Sequence, residues 1–199
     1  MMNSYKWRLV SDEYLQGVFF AVAPITGHLF EISNPSDINN SVILKHFFGL
    51  NPKKYAETIC DSCNLPIEIP PVEKPISKCK LRYIQIIRRV IDLALMIVPL
   101  GFVINLVSIF TPVNLNKFDL KEALSIVAHA FSTHSNGNCL QIAICRYWLF
   151  RKLGWSTSIH LGVLFPTEEM HAWVTLQGQP IFECPDFIAH YQTAVIYSY

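Results

Sequence analysis

The stretch that decides the fold is NGNCLQIAICRYWLFRKLGW (residues 136–155), followed by STSIHLGVLF (156–165) and MHAWVTLQGQPIFE (170–183). It offers a cysteine at a helix start, a histidine on a strand and an acid on the next strand. A thiol becomes a useful nucleophile when a helix N-terminus or a nearby histidine lowers its pKa, because the thiolate is the reactive form. Cys139 has both prospects. Gly137 permits a sharp turn and Asn138 is a favoured N-cap, after which no helix breaker occurs until Gly154. Cys139 therefore falls in the first turn. The helix is apolar on nearly all sides (Leu140, Ile142, Ala143, Ile144, Tyr147, Trp148, Leu149, Phe150), a pattern that predicts burial and hence a rigidly held first residue.

His171 opens the strand HAWVTL, which Gly178 ends, and PIFE returns antiparallel to it. Two registers are open. A three-residue loop, Gln177–Gly178–Gln179 with a bulge, sets Trp173 opposite Glu183, so that Glu183 shares the His171 face and can fix the imidazole tautomer that takes the thiol proton. A two-residue loop turns Glu183 away, and Asp186 is then the better third member. Isolated cysteines are usually inert small hydrophobes, and Cys145 and Cys184 are read so.

The order of these features resembles the transglutaminase-like leader peptidases of lasso-peptide biosynthesis, the B proteins, which remove the leader from a ribosomally made precursor. The resemblance rests on C-L at the start of a long apolar helix ending R-K-L-G, the strand I-H-L-G-V, and H-A-W-V-x-L-x-G-x-P-I-x-E. It covers about 50 residues closely, as a motif match of the nucleophile and base segments, and the layout of the whole chain resembles the fused form with an N-terminal leader-recognition element. One departure is that the family usually has Asp where this chain has Glu183. The resemblance implies a cysteine peptidase with Cys139 as nucleophile, His171 as base and Glu183 or Asp186 orienting it. It further implies a precursor peptide and a lasso cyclase as partners. No cofactor or metal is expected on this chain, which has no GxxxxGK[ST] loop, so any ATP would act through the cyclase. Two rival functions share the residues: another acyl transferase on the same triad, or a non-catalytic chaperone that presents the precursor.

With 199 residues the chain has room for one full domain and one small one. A net charge of +1 gives no basic footprint for nucleic acid. Six cysteines without a secretory signal, Met1 to Arg8 being polar and charged, give the expectation of a reducing cytoplasm. Cys60 and Cys63 have CxxC spacing without a second ligand pair, and packing is the reading for them rather than zinc or redox work.

The expected fold class is α+β: a small winged-helix-like leader-recognition domain over 1–65, a Pro-rich linker over 66–77 (Pro66, Pro70, Pro71, Pro75), and a transglutaminase-like, papain-like peptidase domain over 78–199. The first domain reads as three strands (YKWRLV, YLQGVFFAVA, HLFEI), punctuated by the Pro24–Gly27 turn, and two helices, one with Ile38, Val42, Ile43, Phe47 and Leu50 on one face and one capped by Asn51 with Tyr55, Ile59 and Cys63 aligned. Such modules bind a leader as an added strand, and the residues expected to do so are Leu29, Phe30, Glu31, Ile32, Tyr55 and Ile59. From Leu93 to Asn116 there is no charge, which raises the possibility of a membrane span; Pro99, Gly101 and Asn105 interrupt it, so a buried helix is expected and a membrane is not an expected partner. Asp119 and Glu122 form a capping-box pattern for a helix ending near His134, with Leu120, Leu124, Val127, Ala128 and Phe131 on one stripe. His129 and His134 are read as structural or solvated.

Overall fold

The computed structural model describes residues 4–7, 10–11, 19–22, 26–32, 76–111, 118–131 and 139–198. The expected helices at 38–63, with Tyr55, Ile59, Cys60 and Cys63, lie outside the described residues. So do the proline run of residues 66–75, the Gly137–Asn138 turn and His134.

Four short strands come first: β1 (Ser4–Trp7), β2 (Val10–Ser11), β3 (Phe19–Val22) and β4 (Leu29–Ile32). Helices α1 (Lys78–Ile97), α2 (Leu100–Phe110), α3 (Leu120–Ala130) and α4 (Cys139–Lys152) follow. The chain then runs through β5 (Ser158–Leu164), β6 (Glu169–Leu176), β7 (Gln179–Ile181), the single-turn α5 (Pro185–Ile188) and β8 (Gln192–Ser198). This is a mixed helix and sheet fold. One sheet has the order β1-β8-β5-β6-β7 and a smaller one the order β2-β3-β4.

The helix caps follow the sequence. The Ser77 side chain accepts from the Lys80 N–H, and Asp119 Oδ2 accepts at 3.0 Å from the Lys121 N–H. Helix α3 stops at Phe131, short of the expected His134. Pro99 separates α1 from α2, since its missing N–H and fixed φ suit a helix start and not an interior. Gly154, at φ +87°, follows α4 in the left-handed conformation that ends helices.

Helix α4 is the spine. Ala143, Ile144, Tyr147 and Phe150 are fully buried and join the apolar residues of β5, β6 and β8 (Ile159, Val163, Val174, Val195) in one core. The buried Arg151 donates to the carbonyls of Thr111 (2.8 Å) and Ser108 (3.2 Å), where the end of α2 leaves carbonyls that helical bonding cannot satisfy. Tyr147 and Ser108 hydroxyls are bonded at 2.9 Å, a second tie between α2 and α4.

The N-terminal strands are built into this body. Strand β1 is the edge of the five-stranded sheet, paired antiparallel to β8. Val10, Phe20 and Val22 enter the same core, and the Phe20 ring lies 5.0 Å from that of Phe165.

The buried helix expected beyond Leu93 is not what forms. Ile84 and Ile91 of α1, and Leu100, Val103 and Ile104 of α2, face the core, but Ile86, Val90, Leu93, Met96, Ile97, Phe102, Ile109 and Phe110 are exposed. The sequence is apolar on two faces, and the core has room for one. Among the described residues no helix is long and apolar enough to cross a membrane.

Gly162 of β5 stands opposite His171 of β6. A Cβ there would lie 2.8 Å from two Trp173 ring carbons and 3.0 Å from Tyr191 Cβ. Gly162→Ala should cost about 1–3 kcal/mol through overpacking, read as a lowered urea midpoint with an unchanged m-value.

Candidate active site

Strand alternation puts His171, Trp173 and Thr175 on one face of β6 and the core residues Ala172, Val174 and Leu176 on the other. Helix α4 begins beside the start of β6. The Cys139 thiol lies 4.0 Å from the Met170 carbonyl oxygen, with the Ala172 and Leu140 N–H groups and the His171 ring near enough to favour its charged form. Half-burial would push this thiol up, but His171 and those two backbone donors hold it below the ordinary thiol range. For His171, burial would lower the pKa, but the Cys139 sulfur and the Glu183 carboxylate raise it to about 9. The two groups favour each other's charged forms, and His171 is the one protonated at neutral pH.

Glu183 Oε2 lies 3.7 Å from His171 Nε2, an ion contact beyond hydrogen-bond length. Burial would raise the Glu183 carboxyl, yet His171 and Arg146 hold it down. Arg146 Nη1 donates to Glu183 Oε1 at 2.9 Å, and its guanidinium lies 4.8 Å over the Phe182 ring.

The loop between β6 and β7 has two residues, Gln177 and Gly178, both at positive φ (54° and 81°) as a type I′ hairpin turn requires. The pairs Val174↔Ile181, Thr175↔Pro180 and Leu176↔Gln179 correct the three-residue loop that would have set Trp173 opposite Glu183. This register, continued, would place Glu183 opposite Ala172 and away from the imidazole. It is not continued. Strand β7 ends at Ile181, and Phe182 takes φ +66°, a conformation unusual for a bulky side chain. The kink swings Glu183 back toward His171, and Phe182 is held by Phe150 (ring centroids 6.1 Å apart) and by Arg146. The expectation that a two-residue loop removes Glu183 from the site is therefore overturned. Asp186 sits exposed in the single turn of α5.

Aromatic rings enclose the imidazole. Trp173 stacks beside it at 6.2 Å, Phe187 meets it edge-on at 5.3 Å and Tyr191 lies at 5.2 Å. His160 stacks on the other neighbour, Trp173, at 5.4 Å and bonds to Thr175 Oγ1 at 2.9 Å; burial pushes it down to about 4, so it is neutral. Cys145 is buried, its thiol pushed up to about 12, which makes it inert. Cys184, expected inside, is exposed at the cap of α5 because the Phe182 kink carries the chain outward.

Arg146 is the residue that the sequence reading passed over. Its signal was present: it is the one charge between Cys139 and Arg151, and it lies seven residues, about two turns, from Cys139 on the same side of the helix. Of the residues expected to bind a leader, Leu29 is half-buried and Glu31 exposed on β4, with Phe30 and Ile32 between and beyond them on the same strand.

Residues 118–195 match the family model of the transglutaminase-like superfamily, a span that contains Cys139, Arg146, His171 and Glu183. A superfamily of this type points to cysteine-peptidase or acyl-transfer chemistry. No curated protein and no solved structure matches the chain.

Two outcomes follow from the geometry. Iodoacetamide labelling of Cys139, followed by peptide mass mapping, should set in below the roughly 8.5 at which a free thiol ionises; His171→Ala should move the onset upward because the cation that favours thiolate is gone. Arg146→Ala strands the Glu183 carboxylate in a half-buried site and should cost about 2 kcal/mol, between the surface and fully buried limits for a broken ion pair, measured by denaturant melt.

Proposed function

We propose that this chain is a cysteine peptidase that cleaves a leader from the core of a ribosomally made lasso-peptide precursor, before a cyclase closes the macrolactam. The observation that carries the peptidase reading is the Cys139–His171–Glu183 arrangement, a thiol held below its ordinary range beside a protonated imidazole at a helix start. The narrower substrate is supported by the C-L, I-H-L-G-V and H-A-W-V-x-L-x-G-x-P-I-x-E pattern.

The charge state sets the order of steps. Cys139 thiolate attacks the scissile carbonyl, and the first-turn N–H groups of α4, which have no helical acceptor, stabilise the oxyanion. Collapse breaks the C–N bond while His171 gives its proton to the leaving amine of the core. The leader stays on sulfur as a thioester. His171, now neutral, takes a proton from water, whose oxygen attacks the thioester; the leader leaves as a carboxylic acid and the thiolate–imidazolium pair returns. Glu183 fixes the imidazole orientation and Arg146 fixes Glu183. Trp173, Phe187 and Tyr191 wall the imidazole and keep it from rotating.

Leader recognition is assigned to residues 1–65. Its support is that β4 is an edge strand of β2-β3-β4, open on one side to an added strand among the described residues. Leu29, Phe30, Glu31 and Ile32 would form that edge; Tyr55 and Ile59, assigned to the same role, lie outside the described residues. A cytoplasmic location, a cyclase partner and ATP acting through the cyclase belong to the same proposal.

The test is the purified protein with a candidate precursor, with and without cyclase and ATP, followed by peptide mass. Free leader and free core are expected, absent with Cys139→Ala and reduced at least about 10²-fold with His171→Ala. A product of added mass would indicate an acyl transferase instead, and an intact but tightly bound precursor a chaperone.

A further inference from the structure

Helices α1 and α2 each expose an apolar stripe, that of α1 with a basic end. On α1, Ile86, Val90, Leu93 and Ile97 recur at helical spacing, and on α2 so do Phe102, Leu106, Ile109 and Phe110. The exposure is extreme at the turn between them, 78 % for Met96 and 82 % for Ile97, and stays high at Phe110, 74 %. Soluble monomers rarely show so large an apolar face uncovered.

The charges say what covers it. Between Lys78 and Phe110 there are five basic residues (Lys78, Lys80, Arg82, Arg88, Arg89) against one acid, Asp92, in a chain whose whole net charge is +1. Arg82 and Arg89 are exposed and lie on the same stripe as Ile86 and Leu93, at its N-terminal end. Beyond Asp92 no charge follows until Lys117. The stripe thus grades from basic to wholly apolar.

A specific protein partner would look for hydrogen-bonding groups at about one per 100–200 Å². The exposed side chains from Leu93 to Phe110 offer it aliphatic, thioether and phenyl surface, and the one amide in the span, Asn105, is half-buried and already engaged. Ser108 is buried and bonded to Tyr147. A bilayer asks for no such groups, and its anionic headgroups attract Lys and Arg near the surface. From Arg89 to Ile97 the helix rises about 12 Å, so a tilted α1 carries the Ile97 tip into the roughly 5–10 Å interfacial zone while Arg89 stays at headgroup level.

We propose that the α1–α2 face docks onto an anionic membrane surface, Met96, Ile97, Phe102 and Phe110 entering the interface and Arg82 and Arg89 meeting lipid phosphates. The membrane was not expected as a partner because the apolar run was expected to be buried; one face of it is, and the other is not. This docking is independent of the peptidase reading.

The test is co-sedimentation of the full chain with phosphatidylcholine vesicles and with vesicles containing phosphatidylglycerol. Binding to the anionic vesicles is expected, weakened by salt. Ile97→Asp with Phe102→Asp should abolish it, while leaving the circular dichroism and the Cys139 alkylation rate unchanged, since both side chains point to solvent. Arg82→Glu with Arg89→Glu should weaken it by about fivefold or more per charge. Equal binding to both vesicle types overturns the proposal. So does a protein that ignores vesicles and instead self-associates, or binds cyclase, through a face that the Ile97 and Phe102 variants disrupt.

Discussion

Four half-buried charges alternate in sign through this molecule: the Cys139 thiolate, the His171 imidazolium, the Glu183 carboxylate and the Arg146 guanidinium. Each would be neutral or unstable there alone, since burial works against every one of them. Together they compensate. The row begins on the first residue of α4, crosses to β6, reaches the residue after the β7 kink and returns to α4 two turns beyond its start. The core of α4 against β5, β6 and β8 exists in a register that closes this circuit. The thiol is held by two backbone N–H groups as well as by the imidazole, so its ionised state depends on the helix start meeting β6 and not on one side chain alone.

How much of this was legible follows from what sequence patterns encode. The helix that starts at Cys139 and the histidine strand were readable, because an apolar helix and a period-2 strand are local signals, whereas the length of the following turn stayed open between two and three residues. The placement of Glu183 was not. Counting residues through a hairpin assumes that alternation continues, and Phe182 at φ +66° breaks it for reasons that are tertiary: the ring is wanted by Phe150 and Arg146. Arg146 was missed because a charge in an apolar helix reads as an interruption until its partner on another element is seen.

The N-terminal strands illustrate a second limit. Strand signals give existence and not partners, so nothing in SYKW announces that β1 pairs with β8, nearly two hundred residues away. The apolar run of α1 and α2 shows a third. Hydropathy says how much surface is apolar, whereas burial depends on whether the fold has a second surface to meet it. Here the inner face meets the core and the outer face does not.

The most direct measurement is intact-protein mass spectrometry of the chain quenched during reaction with a candidate precursor peptide. If the proposed function holds, a transient adduct with the mass of the leader acyl group is expected, mapped to Cys139 and discharged by hydroxylamine as a thioester is. Cleavage that proceeds with no adduct, and at full rate after Cys139 has been alkylated, would contradict it.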